Sequence, residues 1–272
     1  MKKRKIIHRK PNLQFTENYP KHWHSNSPFK THFLNSLTLI FPTGEKYFIR
    51  SIKCLLVNVQ SEILQKEAKL FIKQESEHFK EHEKFFKVLK KQGYKLNSLV
   101  DLLDHIVNNL LEPYLDSKTN LSITAGLEHI TALLAEISLE ENFLDEAPQK
   151  IQDLFNWHAA EEIEHRAVAF DVLKEVTRSY SKRIQGIIIG YIIISSFSAL
   201  TTTYLLYQDK ELFKLKTVKD CSQLFFTEQA LFIKAIKIFL RYLAPDFHPD
   251  NEKLDNLSSP IFNSLFKNLG VA

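Results

Sequence analysis

The stretch from Trp157 to Arg166 carries three carboxylates and two imidazoles, the side chains most often used to bind transition metals. In a helix His158, Glu162 and His165 lie on one face, because they follow one another by four and then three residues. Apolar residues come directly afterwards, which predicts that this helix enters a core. Charged groups in a core need partners or a metal. We interpret the stretch as one part of a metal site.

A second segment repeats the Glu-x-x-His spacing. Glu75 and His78 lie three residues apart, and His82 follows on the same face. The helix that carries them is predicted to begin after a Ser61 cap and to end near Gln92. Such a pair projects side by side from one helix, so both side chains can reach one ion.

Two further carboxylates are candidates for the same site. Glu128 lies in a nearly continuous apolar part of a helix predicted over residues 120–142, where a lone carboxylate is costly to bury. Glu45 begins a helix predicted after the Pro and Gly of residues 41–44. For Glu45 a favourable interaction with the helix dipole is an equally good explanation.

These residue types indicate chemistry at two metal ions. Carboxylates bridge ions that lie about 3.5–4 Å apart, and imidazoles supply terminal ligands suited to iron. The alternative is a set of buried salt bridges, for which the nearby candidate cations are Lys46, Arg50 and Arg166. The predicted cofactor is therefore two metal ions, with iron preferred and manganese or zinc as alternatives.

The elements that position these residues are predicted to be helices. The chain has 272 residues, of which 44% are apolar and only 6 are Gly, and it shows long runs at helical spacing. The expected fold class is all-α, a ferritin-like four-helix bundle with a di-metal site and a C-terminal hydrophobic helical appendage. The predicted division is an irregular arm (1–40), the bundle (41–180), the appendage (181–250) and a loose tail (251–272).

The C-terminal half suggests contact with a membrane. Residues 184–208 contain no charged side chain and are long enough to cross a bilayer, although Ser, Thr and Gly190 weaken their hydropathy. A buried helix or a membrane-embedded hairpin arm explains them about as well. Residues 231–243 are amphipathic with a basic edge, which suits a membrane surface or another helix. We therefore predict membrane contact through residues 184–243.

Composition excludes several classes of protein. The two cysteines, Cys54 and Cys221, lie far apart and favour a reducing, cytoplasmic location over a disulfide framework. The basic start is followed by too short an apolar run for a signal peptide. The net charge of +4 is mild, and no nucleotide-binding fingerprint appears. A nucleic-acid partner is not expected, and the oligomeric state stays open.

The motifs resemble a known bacterial family. Phe41-Pro42-x-Gly44-Glu45-x-x-Phe48, Gln74-Glu75-x-x-His78-x-x-x-His82, Leu127-Glu128-His129-x-Thr131-Ala132 and Trp157-His158-x-x-Glu161-Glu162-x-Glu164-His165 are similar to those of the family described as "predicted metal-dependent hydrolase", which is grouped with ferritin-like folds. The resemblance covers roughly residues 25–250. The position of His158 also resembles that of a third histidine in the di-iron arylamine N-oxygenases.

This resemblance implies a set of ligands. The implied metal ligands are Glu45, Glu75, His78, Glu128, His158, Glu162 and His165. His82 has no clear counterpart and is expected to support a ligand by hydrogen bonding or to act as an alternative ligand. Glu161 is expected to support the site or to serve as an alternative carboxylate, and Glu164 to be solvated or paired with a cation.

Three functions are compatible with such a site. The first hypothesis is a di-iron oxygenase or oxidase that uses O2 to oxidise a small organic substrate, for which a hydrophobic molecule is one candidate. The second is a two-metal hydrolase, as the family description states, although the His-Asp dipeptide of helical phosphohydrolases is missing. The third is iron storage or non-catalytic metal binding. The substrate itself cannot be derived from the sequence.

Overall fold

The computed structural model describes residues 4–16, 18–228, 230–251 and 254–268, and these contain α-helices, short 3₁₀ and π segments and no β-strand. The all-α fold class is therefore confirmed. The α-helices are α1 (Pro28–Leu55), α2 (Glu62–Lys91), α3 (Asn97–His105), α4 (Ser117–Glu140), α5 (Gln149–His165), α6 (Val168–Val176), α7 (Tyr180–Gln208), α8 (Leu215–Ser222), α9 (Leu231–Tyr242) and α10 (Asp255–Asn268).

The bundle is formed by the long helices. Helix α1 packs against α2, α4 and α7, while α4 packs against α5, α6 and α7. Side-chain caps begin several of these helices: the Ser61 hydroxyl accepts from the backbone N–H of Leu64 at 3.3 Å, as predicted, and Ser179 caps α7 in the same way. Helix α2 ends just before Gly93, whose φ of 95° favours glycine.

The predicted start of the first helix was wrong. Residues 28–40 were assigned to an irregular arm, but α1 begins at Pro28, where Ser27 provides the cap, and continues through Pro42. Proline inside a helix removes one backbone hydrogen bond, so the sequence pattern favoured a boundary there. The buried face of α1 on both sides of Pro42 outweighs this loss, since Leu37, Leu39 and Tyr47 are all buried.

Two further predictions also need correction. The helix expected to run from Pro148 to Arg178 is broken after His165, where the Arg166 guanidinium bonds back to the carbonyl oxygen of Ile163 at 2.5 Å. The C-terminal tail, expected to be loose, contains α10, which packs against α5 and buries Leu265. Both deviations depend on tertiary contacts that local periodicity does not record.

Helix α7 lies very close to α4. A Cβ atom added at Gly186 would lie 2.1 Å from the carbonyl oxygen of Ser122, and one at Gly126 would lie 2.6 Å from the Cα of Ile187. Within the described residues α7 is long and apolar enough to cross a membrane, with a mean hydropathy of 1.7, but buried helices of soluble proteins satisfy the same criterion. Its packing joins α7 to the bundle, and the predicted membrane contact stays a prediction.

Candidate metal centre

All seven predicted ligands meet inside the bundle. Helix α1 supplies Glu45, α2 supplies Glu75 and His78, α4 supplies Glu128, and α5 supplies the other three. Every one of them is at least 96% buried: Glu45, Glu75, His78, Glu128, His158, Glu162 and His165. Four helices that are distant in sequence thus bring four carboxylates and three imidazoles together.

One half of the cluster surrounds His165. Its Nε2 atom lies 3.2 Å from Oε1 of Glu75, 3.3 Å from Oε2 of Glu128 and 3.5 Å from Oε1 of Glu162. These donors come from α2, α4 and α5. Glu75, Glu128 and His165 each present an atom close enough to share one metal ion.

The other half surrounds His78 and His158. Nε2 of His158 lies 2.9 Å from Oε1 of Glu162 and 3.6 Å from Oε1 of Glu45. Nδ1 of His78 lies 3.5 Å from the same Glu162 oxygen and 3.6 Å from Oε1 of Glu75. Both Glu162 and Glu75 thus contact imidazoles in the two halves of the cluster.

The second nitrogen of each imidazole is held from outside the cluster. Nδ1 of His158 lies 2.7 Å from Nε2 of His82. Nε2 of His78 lies 3.1 Å from Oε2 of Glu161. Such outer hydrogen bonds orient a ligating imidazole and fix its tautomer. His82 and Glu161 therefore have the geometry of supporting residues, one of the two roles predicted for each.

Gln74 and Thr131 also support ligands, although the sequence predicted no role for either. Nδ1 of His165 lies 3.0 Å from Oε1 of Gln74, and the Thr131 hydroxyl donates to Oε2 of Glu162. Gln74 directly precedes Glu75, and Thr131 lies one helical turn after Glu128. Polar residues next to predicted ligands on buried helices were the signal that could have identified both.

The N-terminal arm covers one side of the centre. Arg9 donates to Glu161 at 3.1 Å and to both oxygens of Glu164 at 2.9 Å, so Glu164 is paired with a cation, one of its predicted roles. The side-chain N–H of Gln74 donates to the backbone oxygen of Ile7 at 3.1 Å. Sequence reasoning missed Arg9, because nothing local relates it to residues more than 150 positions away.

Arg4 fastens the start of this arm. Its guanidinium donates to Glu67 at 2.7 Å, to Asp250 at 2.8 Å and to Asp171, and its side chain is 8% exposed. Asp171 also pairs with His248 at 2.8 Å. The arm is therefore attached at once to α2, to α6 and to the segment before α10.

The donor set fits metal ions. Among the described residues, both carboxylate oxygens of Glu45, Glu75 and Glu128 are buried without a hydrogen-bond partner, as are Nδ1 of His78 and Nε2 of His165. Buried carboxylates without partners are costly unless cations neutralise them. Oxygen and imidazole donors at these distances suit metal ions.

The cations considered for a salt-bridge alternative have other contacts. Arg50 pairs with Glu112 at 2.6 Å, and Lys46 pairs with Glu83 at 2.6 Å. The Arg166 guanidinium bonds to the backbone oxygens of Ile163 and Pro249. Lys46 and Arg50 are thus engaged at the surface, which favours the metal interpretation.

Crowding of the carboxylates changes their acidity. Burial raises the pKa of Glu45 well above its ordinary value, and the neighbouring carboxylates raise it further. Burial likewise raises the pKa of Glu75 and that of Glu128 to about 8. Without a metal these carboxylates stay protonated near neutral pH, which neutralises their charge. Bound cations would neutralise the carboxylates instead and displace these protons.

The pKa values of two other members of the cluster are shifted so that the charged form is favoured. Although burial raises the pKa of Glu162, the nearby His165 and His158 hold that pKa well below its ordinary value. Although burial lowers the pKa of His165, Glu128 and Glu162 hold that pKa well above its ordinary value. Glu162 is therefore the carboxylate most ready to act as an anionic ligand.

A separate group brings together His22, His32 and Asp209. Oδ2 of Asp209 lies 2.9 Å from Nε2 of His22 and 2.8 Å from Nε2 of His32, and it accepts from the Tyr94 hydroxyl at 2.8 Å. The Lys21 ammonium lies 2.5 Å from the other Asp209 oxygen. With this cation present, the group is a polar anchor between the arm, α1 and α7.

Comparison with known proteins adds one relationship. Residues 7–253 match the model of a family described as "Predicted metal-dependent hydrolase". No curated protein and no solved structure matches the chain. The matched range includes the seven clustered residues together with Arg9, Gln74, His82, Thr131 and Glu161.

Proposed function

The chain belongs to the family of predicted metal-dependent hydrolases, and from that premise we propose that it hydrolyses its substrate at a centre of two metal ions. The observation that carries the proposal is the cluster of buried carboxylate oxygens and imidazole nitrogens that lack hydrogen-bond partners. The family description favours hydrolysis over O2-dependent oxidation, which was the first hypothesis from the sequence.

The protein's own residues would hold and orient the ions. Glu75 and Glu162 reach both halves of the cluster, Glu45 and Glu128 each contact one half, and the imidazoles close the ends. When bound, divalent ions supply Lewis acidity, which polarises a scissile bond and makes water a stronger nucleophile at neutral pH. The outer partners His82, Glu161 and Gln74 keep each imidazole turned with one nitrogen towards the centre.

Substrate can approach from one side. A cavity of about 80 Å³ is lined by His158 and Glu162 and otherwise mainly by apolar side chains, among them Phe41 and Phe155. The arm covers the part of the centre beside Glu161 through Arg9. The cavity at His158 and Glu162 would admit a substrate to the centre along an apolar route.

The test is hydrolysis under strictly anaerobic conditions. Protein loaded with Zn²⁺, Mn²⁺ or Fe²⁺ is assayed on carboxylic esters and phosphodiesters, with the metal content measured in parallel. Glu128→Gln should lower metal content or turnover more than about tenfold, while Glu140→Gln, an exposed change on the same helix, should not. Failure of every metal form to hydrolyse these substrates, or equal activity in the two variants, would contradict the proposal.

One observation favours O2 chemistry as a second candidate. Four carboxylates with three imidazoles form a donor set suited to iron. Iron bound at two ions per chain, with an O2-dependent spectral change after reduction and no anaerobic hydrolysis, would support oxidation instead. Metal bound without either reaction would indicate storage or non-catalytic binding.

A further inference from the structure

A second, larger cavity lies beside the candidate centre. It has a volume of about 470 Å³, within the range of about 300–1,000 Å³ typical of small-molecule sites. Its walls come from α1, α4, α7, α8, α9 and the segments next to α8. Large apolar side chains dominate the lining, including Phe29, Phe33, Leu133, Leu206 and Phe225.

The two cavities adjoin. Phe33, Leu37, Leu134 and Leu231 line both of them, and the smaller one continues to His158 and Glu162. These shared apolar side chains place the large cavity next to the small one, which reaches two predicted metal ligands. A substrate whose apolar part occupies the large cavity can place its reactive bond at the centre.

The large cavity carries no permanent charge. No Asp, Glu, Lys or Arg is among the described residues that line it. The His129 ring also lines it, with Nε2 at 3.3 Å from the backbone oxygen of Ile238. The small cavity also contains no Lys or Arg among its described lining residues. A carboxylic ester, which is uncharged along its whole length, suits these walls better than a phosphoester, whose charge only metal ions at the centre would offset.

A few polar groups interrupt the apolar wall. The Ser198 hydroxyl lies 2.8 Å from that of Ser36, so these two satisfy each other. The hydroxyls of Thr202 and Thr217 are buried without a partner among the described residues. Each can donate to an oxygen atom carried by a substrate, which favours a ligand that is not purely hydrocarbon.

We propose that the large cavity binds the acyl chain of a carboxylic ester and that the ester group extends through the small cavity to the metal centre. The proposal rests on the hydrolytic function proposed above. In the reaction the oxygen of water bonds to the carbonyl carbon and the bond from that carbon to the alcohol oxygen breaks. One water proton ends on the departing alcohol, and the acid product releases its remaining proton at neutral pH.

The two free cysteines allow a test of binding without any substitution. Cys221 lines the large cavity and is half-buried, whereas Cys54 is exposed on α1 and lines neither cavity. The full chain, loaded with Zn²⁺ so that the carboxylate of the probe meets a cation at the centre, is incubated with dodecanoate and alkylated with N-ethylmaleimide, and the modification of each cysteine is followed by mass spectrometry. Butyrate is the control, since it carries the same carboxylate on a short chain.

We expect dodecanoate to slow the alkylation of Cys221 about tenfold at ten times its dissociation constant, because only the free fraction reacts. Cys54 should react at an unchanged rate, and butyrate should protect neither cysteine. Lack of protection by dodecanoate, or equal protection of both cysteines, would overturn the assignment of the cavity.

A pair of variants tests the same point through turnover. Ala235 lines the large cavity from α9, and Ala235→Trp should fill it, whereas Leu240→Trp changes an exposed residue on the same helix. We expect Ala235→Trp to lose dodecanoate binding and cleavage of long-chain esters while it still cleaves acetate esters. Leu240→Trp should retain dodecanoate binding and the cleavage of both long-chain and acetate esters. Retention of dodecanoate binding by Ala235→Trp would overturn the proposal.

The two proposals fail in different ways. If dodecanoate protects Cys221 but no ester is cleaved by any metal form, the hydrolytic function is wrong and the cavity assignment stands. If acetate and dodecanoate esters are cleaved equally and Cys221 is not protected, hydrolysis stands and the acyl-chain site is wrong.

Discussion

At the scale of single residues, Glu162 occupies the central position of the site. One of its oxygens lies within 3.5 Å of a nitrogen of each of the three imidazoles, and the other accepts from the Thr131 hydroxyl. Glu75 and Glu128 lie in the same cluster near His165, but neither has a hydroxyl donor or an oxygen close to all three imidazoles. The acidity of each carboxylate is therefore decided by its neighbours rather than by burial alone.

The raised pKa values of Glu75 and Glu128 predict how metal binding depends on pH. Both are about 8 without metal, so an incoming ion must displace protons, and affinity should rise with pH up to about 8. Calorimetric titration with Zn²⁺ in buffers of different ionisation enthalpy measures both the affinity and the protons released. An affinity that is flat between about pH 6 and pH 8, with no proton release, would contradict this expectation.

The same shifts predict the stability of the metal-free protein. Folded Glu75 and Glu128 keep protons that the unfolded chain loses near pH 4.5, so the native state binds more protons between pH 4.5 and about 8. Their contribution to the free energy of unfolding should therefore fall as pH rises through this window. Adding Zn²⁺ at pH 8 should reverse the loss and raise the melting temperature, which a thermal scan with and without metal would measure.

Arg9 tests the outer support of the site. Arg9→Met removes the cation beside Glu161, which holds His78, and should lower metal affinity about tenfold. Lys10→Met removes a charge from the neighbouring exposed position and should have little effect. Equal metal affinity in the two variants would show that the arm covers the centre without positioning its ligands.

At the scale of elements, the contact between α4 and α7 depends on glycine. Gly186→Ala would place a Cβ atom 2.1 Å from a backbone oxygen and should lower the free energy of unfolding by about 1–3 kcal/mol. Gly44→Ala in α1 is the matched control, since its Cβ would meet nothing closer than 4.0 Å, and it should be neutral or stabilising by up to about 1 kcal/mol. Urea denaturation of both variants measures the difference, and equal stability would contradict the close approach.

Local signals predicted some elements well and others poorly. The cap at Ser61 and the stop at Gly93 located α2, and the apolar setting of Glu128 located the buried face of α4. The sequence predicted too late a start for helix α1, because Pro42 resembles a helix boundary. In the structure the buried residues on both sides of Pro42 keep the helix intact. The spacing of Glu and His correctly predicted which helix faces carry the clustered residues. The role of Arg9 and the packing order of the helices could not be predicted in this way, because both depend on contacts between distant segments.

At the scale of the whole molecule, apolar surface and positive charge coincide in one part of the chain. Residues 210–241 contain seven Lys or Arg and three Asp or Glu. The same segment exposes Phe213 at 90% and Leu215 at 85%. Such a combination binds anionic membranes through apolar insertion and electrostatic attraction. The membrane contact predicted from the sequence thus has a definite surface to test.

Sedimentation with vesicles tests this surface. The protein should bind vesicles that contain phosphatidylserine, and binding should weaken as the salt concentration rises. The double variant Phe213→Ser and Leu215→Ser should bind markedly less. The control is Val57→Ser with Tyr114→Ser, which removes side chains that are 80% and 79% exposed elsewhere. An equal loss in both variants, or no binding by the unchanged protein, would contradict the prediction.

The attachment of the N-terminal arm also constrains the order in which the molecule can be assembled. Arg4 joins Asp250 across a separation of 246 residues, and the same arm reaches the centre through Arg9. On a ribosome Arg4 is synthesised 246 residues before Asp250, and their contact can form only after Asp250 has been made. The arm therefore reaches its final attachment only after all four ligand-bearing helices have been synthesised.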